Sequence, residues 1–188
     1  MGASGSSGTG EPSITGTAWL LMDDATGQVL AGDNIDARVD PASITKVMTS
    51  YVVAAEIANG KLKPDDEVTI SENAWRGGGG GTDGSTSFLP LGSKVKLGDL
   101  LHGMIIQSGN DASIALAEHV AGSEDAFAAL MNAHAQRLGL SGTHFVNAHG
   151  LSAPEHYTTA HDIARLSRAL IHDFPQDYAL YSQKELTI

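Results

Sequence analysis

A chain of 188 residues, 41% of them hydrophobic, carries enough apolar material to bury a full core and is globular rather than disordered. Eleven Lys and Arg stand against 22 Asp and Glu, a formal charge of -11, which argues against a phosphate-backbone partner, so nucleic acid is not expected. Cysteine is absent, which removes disulfides, thiolate nucleophiles and Cys-ligated zinc. The eight His are scattered without a His-Glu-x-x-His arrangement or a tight cluster. Most are expected at the surface or at a lobe interface, and no metal or cofactor is anticipated. No apolar run is long enough to cross a bilayer, and Met1 to Pro12 has neither the charged start nor the apolar stretch of a signal peptide.

Residues 1–16 are rich in Gly, Ser and Thr and read as a flexible leader or an expression remnant, leaving 17–188 as the folded part. Ala18 to Asp23 predicts a buried strand, Asp24 to Gly27 a turn, and Gln28 to Ala31 its hairpin partner. Two strands need more sheet or a helix against their apolar face. Asp40-Pro41-Ala42-Ser43-Ile44-Thr45-Lys46 then runs into Val47, Met48, Tyr51, Val52 and Ala55 at helical spacing. Pro41 disfavours helical geometry at Asp40 and suits a helix start, which puts Ser43 and Lys46 on one face of the first turns of a buried helix. A serine hydroxyl is a weak nucleophile until something takes its proton, and a lysine amine does that once desolvation or a nearby cation lowers its pKa. The plainer alternative is a surface helix start with a capping serine and a solvated lysine.

That helix is expected to end at Asn59-Gly60, with Lys61 to Asp66 a polar connection and Glu67 to Ile70 a short strand. Ser71 to Ser87 reads as loop, because the glycines from Gly77 to Gly81 are costly in any regular element. That tract is either a plain loop or a mobile rim near a cleft. Leu97, Leu100, Leu101, Met104 and Ile105 predict a buried helix that turns at Gln107-Ser108-Gly109-Asn110-Asp111 into a second, Ala112 to Ala121. So short a corner between two buried helices would hold Ser108 and Asn110 rigidly, unless Asn110 or Asp111 simply caps the second helix. Ser123 caps a helix carrying Phe127, Leu130, Met131, His134 and Leu138 and closed by Gly139. Thr143 to Gly150 is irregular or weakly extended. Thr159 to Asp162 resembles a capping box opening a helix with Ile163, Leu166, Leu170 and Ile171 inward, which ends before Pro175. Asp177 to Ser182 predicts a short turn, and Glu185 to Ile188 the start of a strand.

Three stretches carry a family resemblance: Asp40 to Lys46, Gln107 to Ala112, and Thr143-His144-Phe145-Val146-Asn147-Ala148-His149-Gly150-Leu151. In this order they resemble signatures of the low-molecular-mass penicillin-binding proteins, the D-alanyl-D-alanine carboxypeptidases, which belong with the serine beta-lactamases. The likeness covers Gly16 to Ile188. It implies an α+β (mixed α/β), beta-lactamase/transpeptidase-like fold, with an antiparallel sheet flanked by helices and an all-helical lobe over roughly 71–175. The site would lie between the lobes. Ser43 would attack the carbonyl of a terminal D-alanyl-D-alanine bond and Lys46 would accept its proton. Ser108 and Asn110 would complete the relay and hold substrate, and the backbone N–H of Ser43 would form part of the oxyanion hole. Penicillins and other beta-lactams would acylate the same serine. The implied partner is a peptidoglycan stem peptide ending in D-Ala-D-Ala, met in the periplasm or otherwise outside the cytoplasm, with the periphery of the inner membrane as one such place.

The family's third element, Lys-Thr-Gly, has no counterpart here: Lys61, Lys63, Lys94, Lys96 and Lys184 are followed by Leu, Pro, Val, Leu and Glu. The resemblance places that element on a later strand that binds the substrate carboxylate. The expectation is therefore half of a site, lacking its C-terminal sheet strands and completed by a Lys-Thr-Gly-bearing segment or a complementary C-terminal fragment. Three readings stay open: a carboxypeptidase, a related serine beta-lactamase or D-alanyl endopeptidase, and a non-catalytic fragment.

Overall fold

The computed structural model describes Trp19–Met22, Thr26 and residues 28–78 and 89–186. The expected leader over 1–16 lies outside them, as does the part of the glycine tract from Gly79 to Gly81. Two strands open the fold, β1 (Trp19–Met22) and β2 (Val29–Asp33), paired antiparallel from Trp19↔Asp33 to Leu21↔Ala31, after which the register shifts to Met22↔Val29. This is the predicted hairpin, and it meets a helix: β1 packs on α6 (Ala160–Asp173).

Helix α1 (Ile44–Ala58) is the centre of the molecule. It packs against α3 (Leu97–Gln107), α4 (Asn110–Ala121), α5 (Glu124–Arg137) and α6, so it can present an apolar residue on almost every face. Met48, Tyr51, Val52 and Val53 fill the core from α1. They meet Leu97, Leu100, Leu101, Met104 and Ile105 of α3, Ile114 and Leu116 of α4, Phe127 and Met131 of α5, and Leu166 and Leu170 of α6. Each such side chain contributes about 1.5–3 kcal/mol on burial. The predicted caps form: Ser123 Oγ accepts from Ala126 N–H at 3.1 Å and Thr159 Oγ1 accepts from Asp162 N–H at 3.0 Å.

Two expectations are corrected. The segment read as loop from Ser71 begins instead with α2 (Glu72–Gly78), which takes in Gly77 and Gly78. Helix α2 lies on α4, with Ala74 buried at the contact. A Cβ added to Gly77 would meet Ile114 Cδ1 at 2.5 Å, so tight packing offsets the helix-propensity cost of glycine there. The turn expected over Asp177–Ser182 and the strand expected from Glu185 are one helix, α7 (Pro175–Leu186). Pro175 suits its first position, and Leu180 and Tyr181 pack on the core. A partnerless short strand would leave its backbone groups unsatisfied, whereas a helix pairs them internally. Residues 187–188 lie outside the description.

A second two-stranded sheet, β3 (Glu67–Thr69) with β4 (Lys94–Lys96), pairs Val68 with Val95. Strand β3 follows the prediction. Strand β4 was not foreseen, since Lys-Val-Lys is too short to show a period. Among the described residues no helix is long and apolar enough to cross a membrane.

Candidate active site

The start of α1 is wound tightly. Ile44, Thr45 and Lys46 donate their N–H groups to the carbonyls of Pro41, Ala42 and Ser43 at 2.9, 3.1 and 3.1 Å, three successive i to i−3 bonds. Ala42 takes a left-handed conformation, φ 46°, that costs a non-glycine residue energy, and it directly precedes Ser43. Asp40 fixes this entry: Oδ1 accepts from Ala42 N–H at 2.9 Å and Oδ2 accepts from Ser152 Oγ. The Ser152 hydroxyl first, and then the Ala42 N–H, hold the Asp40 carboxyl below its usual range. Ser43 is exposed and caps nothing, while Lys46, one turn on, is only 7% exposed. The alternative of a capping serine beside a solvated lysine does not describe this helix start.

The corner between α3 and α4 is equally constrained. Ser108 closes α3 in the left-handed region, φ 55° and ψ 36°, with its N–H on Met104 O at 2.8 Å. Gly109 is the N-cap of α4 and no side chain caps the helix there. Asn110 is therefore the first helical residue, and it is 2% exposed. Asp111, also buried, accepts from Ala112 N–H at 2.9 Å and from Leu89 N–H at 3.1 Å, tying the chain after the glycine tract to this corner. Because α1 packs on both α3 and α4, the helix bearing Ser43 and Lys46 and the corner bearing Ser108 and Asn110 belong to one packed unit.

The third stretch is tied to the turn that carries Ser43 and to the segments on either side of it. Val39 bridges Thr158, His144 bridges Tyr157, and Thr49 Oγ1 donates to Ala148 O at 2.8 Å. Asn147 shapes the tip, accepting from Gly150 N–H at 2.8 Å and donating to Leu151 O at 3.0 Å. His149 on that tip is pushed down to about 4, by burial first and then by the charges of Lys46 and His156, so its ring is neutral at neutral pH. Its Nδ1 accepts from Leu151 N–H at 3.1 Å, which places the proton on Nε2, 3.9 Å from Glu124 Oε1.

Sequence reasoning named Ser43, Lys46, Ser108 and Asn110 and missed Asp40, His149 and His156 as parts of the same neighbourhood. The usable signal for His149 was its place in Asn147-Ala148-His149-Gly150, beside an asparagine and a glycine that shape a tight turn. His156 offered none, since its partner in the Ser43 turn, Thr45, lies 111 positions away. Among the described residues no group of His, Asp and Glu is arranged to hold a metal ion.

The sequence profile of the peptidase S11 family, D-alanyl-D-alanine carboxypeptidase, matches residues 6–188. D-alanyl-D-alanine carboxypeptidase DacC of Escherichia coli K12 is 51% identical over 177 residues, which is 94% of this chain and 44% of the relative. DacA of the same strain is 46% identical over 179 residues, again 44% of its length. Among solved structures, penicillin binding protein 5 from Haemophilus influenzae matches with a TM-score of 0.87 and 43% identity, over 93% of this chain and 50% of that one. The carboxypeptidase DacD from Francisella tularensis matches with a TM-score of 0.83 and 46% identity, over 90% of this chain and 40% of that one. The chain thus spans about half the length, or less, of these relatives, and shares their mixed α/β fold of a small antiparallel sheet beside a helical lobe. A profile match over residues 6–188 and close likeness in both sequence and structure lead to one conclusion: this chain belongs to the D-alanyl-D-alanine carboxypeptidase family.

Proposed function

We propose that the protein is a serine D-alanyl-D-alanine carboxypeptidase that works through an acyl-enzyme on Ser43. The observation that carries the proposal is the pairing of an exposed Ser43 with a buried Lys46 one helical turn away. A nucleophile has to reach substrate, whereas its base has to be shielded from water. Ser43 Oγ attacks the carbonyl of the terminal D-Ala-D-Ala bond of a peptidoglycan stem peptide, and its proton passes to Lys46. Ser108 relays that proton to the leaving amine of D-alanine, and Asn110 orients the peptide. The Ser43 N–H, preset at the helix start, stabilises the developing oxyanion. Water then hydrolyses the ester, releasing the shortened stem peptide and returning the serine. Beta-lactams acylate Ser43 by the same attack, with ring opening in place of amine departure.

A peptidoglycan substrate is met outside the cytoplasm, so in this reading the working enzyme is periplasmic or otherwise extracytoplasmic. The opposite wall, which binds the terminal carboxylate, falls in this reading to a Lys-Thr-Gly-bearing segment, because no lysine of the sequence is followed by Thr-Gly.

Intact mass with and without a fluorescent penicillin, followed by peptide mapping, on the chain joined to the Lys-Thr-Gly-bearing segment that this reading requires, tests the reading. One adduct is expected, on Ser43, and Lys46→Met should slow its formation by about a hundredfold or more, as loss of a general base does. A label on Ser108, or an unchanged rate in Lys46→Met, would overturn it.

A further inference from the structure

We propose that His156 is a positioning residue for the nucleophile turn, acting through Thr45. The inference rests on the reading of Ser43 as nucleophile and Lys46 as base, since Thr45 lies between them. His156 is 6% exposed and Thr45 is wholly buried. The Nδ1 of His156 accepts the N–H of Val146 at 3.1 Å, so the neutral ring carries its proton on Nε2. That proton is donated to Thr45 Oγ1, 2.9 Å away. A backbone amide thus selects the tautomer, and the tautomer selects the partner. The ring plane is fixed as well, by an edge contact with Phe145 at a centroid distance of 5.8 Å. Burial, the largest influence on His156, pushes its pKa down and keeps the ring in the neutral form this arrangement needs.

The geometry explains why a histidine far from the chemistry would matter. Thr45 belongs to the tight first turn, whose three i to i−3 bonds leave it little slack. Because Ser43 and Lys46 share one face of that turn, any rotation of Thr45 about the helix axis carries both with it, away from their places relative to the neighbouring elements. A misplacement of about 1 Å at reacting atoms costs about a hundredfold in rate. Other ties of this strip, Thr49 to Ala148 O, Ser152 to Asp40 and the Val39–Thr158 bridge, restrain the neighbouring residues. The His156 bond is the one made to the side chain between nucleophile and base.

The test uses Thr45→Val, which keeps shape and deletes the hydroxyl, Thr45→Ser, which keeps it, His156→Phe, which keeps a ring, and the double variant Thr45→Val/His156→Phe. Acylation by a fluorescent penicillin is resolved into pre-covalent affinity and acylation rate constant. Thr45→Val and His156→Phe are each expected to slow acylation about tenfold to a hundredfold with affinity little changed. Thr45→Ser should recover most of the rate, and the double variant should be no slower than the slower single, as for two halves of one bond. A wild-type rate in Thr45→Val, a Thr45→Ser as slow as the valine, or additive losses in the double variant would overturn the proposal. Hydrogen exchange at the amides of Ile44, Thr45 and Lys46 gives a readout that needs no activity. It should quicken in Thr45→Val, and unchanged protection would overturn the proposal even if the wild-type protein took no label, an outcome that would separately overturn the assignment of function.

Discussion

Gly150 lies with its backbone against the carbonyl of Ala42: a Cβ built on Gly150 would stand 2.1 Å from that oxygen and 3.3 Å from Thr45 Cβ. The obstacle is backbone rather than a yielding side-chain end, and Gly150 is itself at φ 98°, a conformation that strains any residue with a Cβ. Gly150→Ala must therefore lift the tip of the third stretch off the residue that precedes Ser43. We expect a loss of about 2–4 kcal/mol of stability, read as a lower midpoint in urea, from strain and overpacking combined. Penicillin labelling of the folded fraction should fall in parallel, because the same movement displaces Ala42. A variant with wild-type midpoint and labelling would show that the close approach is not sustained in solution.

Ser108 and Asn110 should separate by kinetic effect. Ser108→Ala removes a hydroxyl from a half-buried residue and should slow acylation with little effect on pre-covalent affinity, the pattern of a group used in the transition state. Asn110→Ala opens a gap at a buried position and should weaken affinity as well as rate. Circular dichroism on both variants controls for folding. Equal and small effects at the two positions would leave the corner a purely structural turn.

His149 and His156 give the protein an acid limb of stability. Both are held below the ordinary histidine value of 6.5, His149 at about 4, with burial the largest cause in each. As pH falls below 6.5 the unfolded chain takes up protons that the folded chain refuses, so the unfolded state gains. The contribution of His149 is complete above 6.5, shrinks as pH falls, and levels off near 4. Lys46, His156 and Glu124 face His149, and Asp40 and His144 face His156. Asp40 adds to the same trend lower down, since its depressed carboxyl stabilises the fold above the unfolded value of 3.8 and loses that effect as pH drops through the folded one. Melting temperatures across the range from neutral to about pH 4 should decline for the wild type and less steeply for His149→Gln. Identical slopes would mean that His149 titrates as an exposed histidine.

Local signals carried far in this sequence and then stopped for identifiable reasons. The helices α1, α3, α5 and α6 were legible because their apolar spacing and caps are local, as the Ser123 and Thr159 bonds show. Helix α2 was not, because Gly77 is tolerated only through a contact with Ile114, thirty-seven positions away in sequence. Helix α7 was missed because Glu185-Leu186 looks extended in isolation, while the packing of Leu180 and Tyr181 decides the segment as a whole. At the site, Ser43, Lys46, Ser108 and Asn110 could be named from short motifs. The clasp that holds the Ser43 turn, with Asp40 on Ser152 and Thr45 on His156, joins residues more than a hundred positions apart. No local pattern encodes such pairs.

Asp162 ties that clasp to the helical lobe. It is 2% exposed and opens α6, where its carboxylate accepts from Gly142 N–H at 2.8 Å and Thr143 Oγ1 at 2.7 Å, with Arg165 Nη1 at 3.4 Å. The Thr143 hydroxyl spends its proton on Asp162, so at the 2.8 Å contact between Thr143 and Thr158 it is Thr158 that donates. Thr158 in turn pairs with Val39, just before the segment that carries Ser43. Asp162→Ala strands two donors in a site with little access to water and leaves Arg165 without its acid, a loss of about 2–4 kcal/mol. For a protein of this size that is a fall of roughly 5–15 °C in melting temperature. Asp162→Asn keeps one acceptor oxygen and should lose less. Because Thr143 and Thr158 flank the stretch that carries His149 and His156, Asp162→Ala should also speed hydrogen exchange at Val39 and Thr158, whose amides bond each other's carbonyls at 2.8 and 2.9 Å. An unchanged melting temperature in Asp162→Ala would mean that water reaches these donors and that the anchor lies elsewhere.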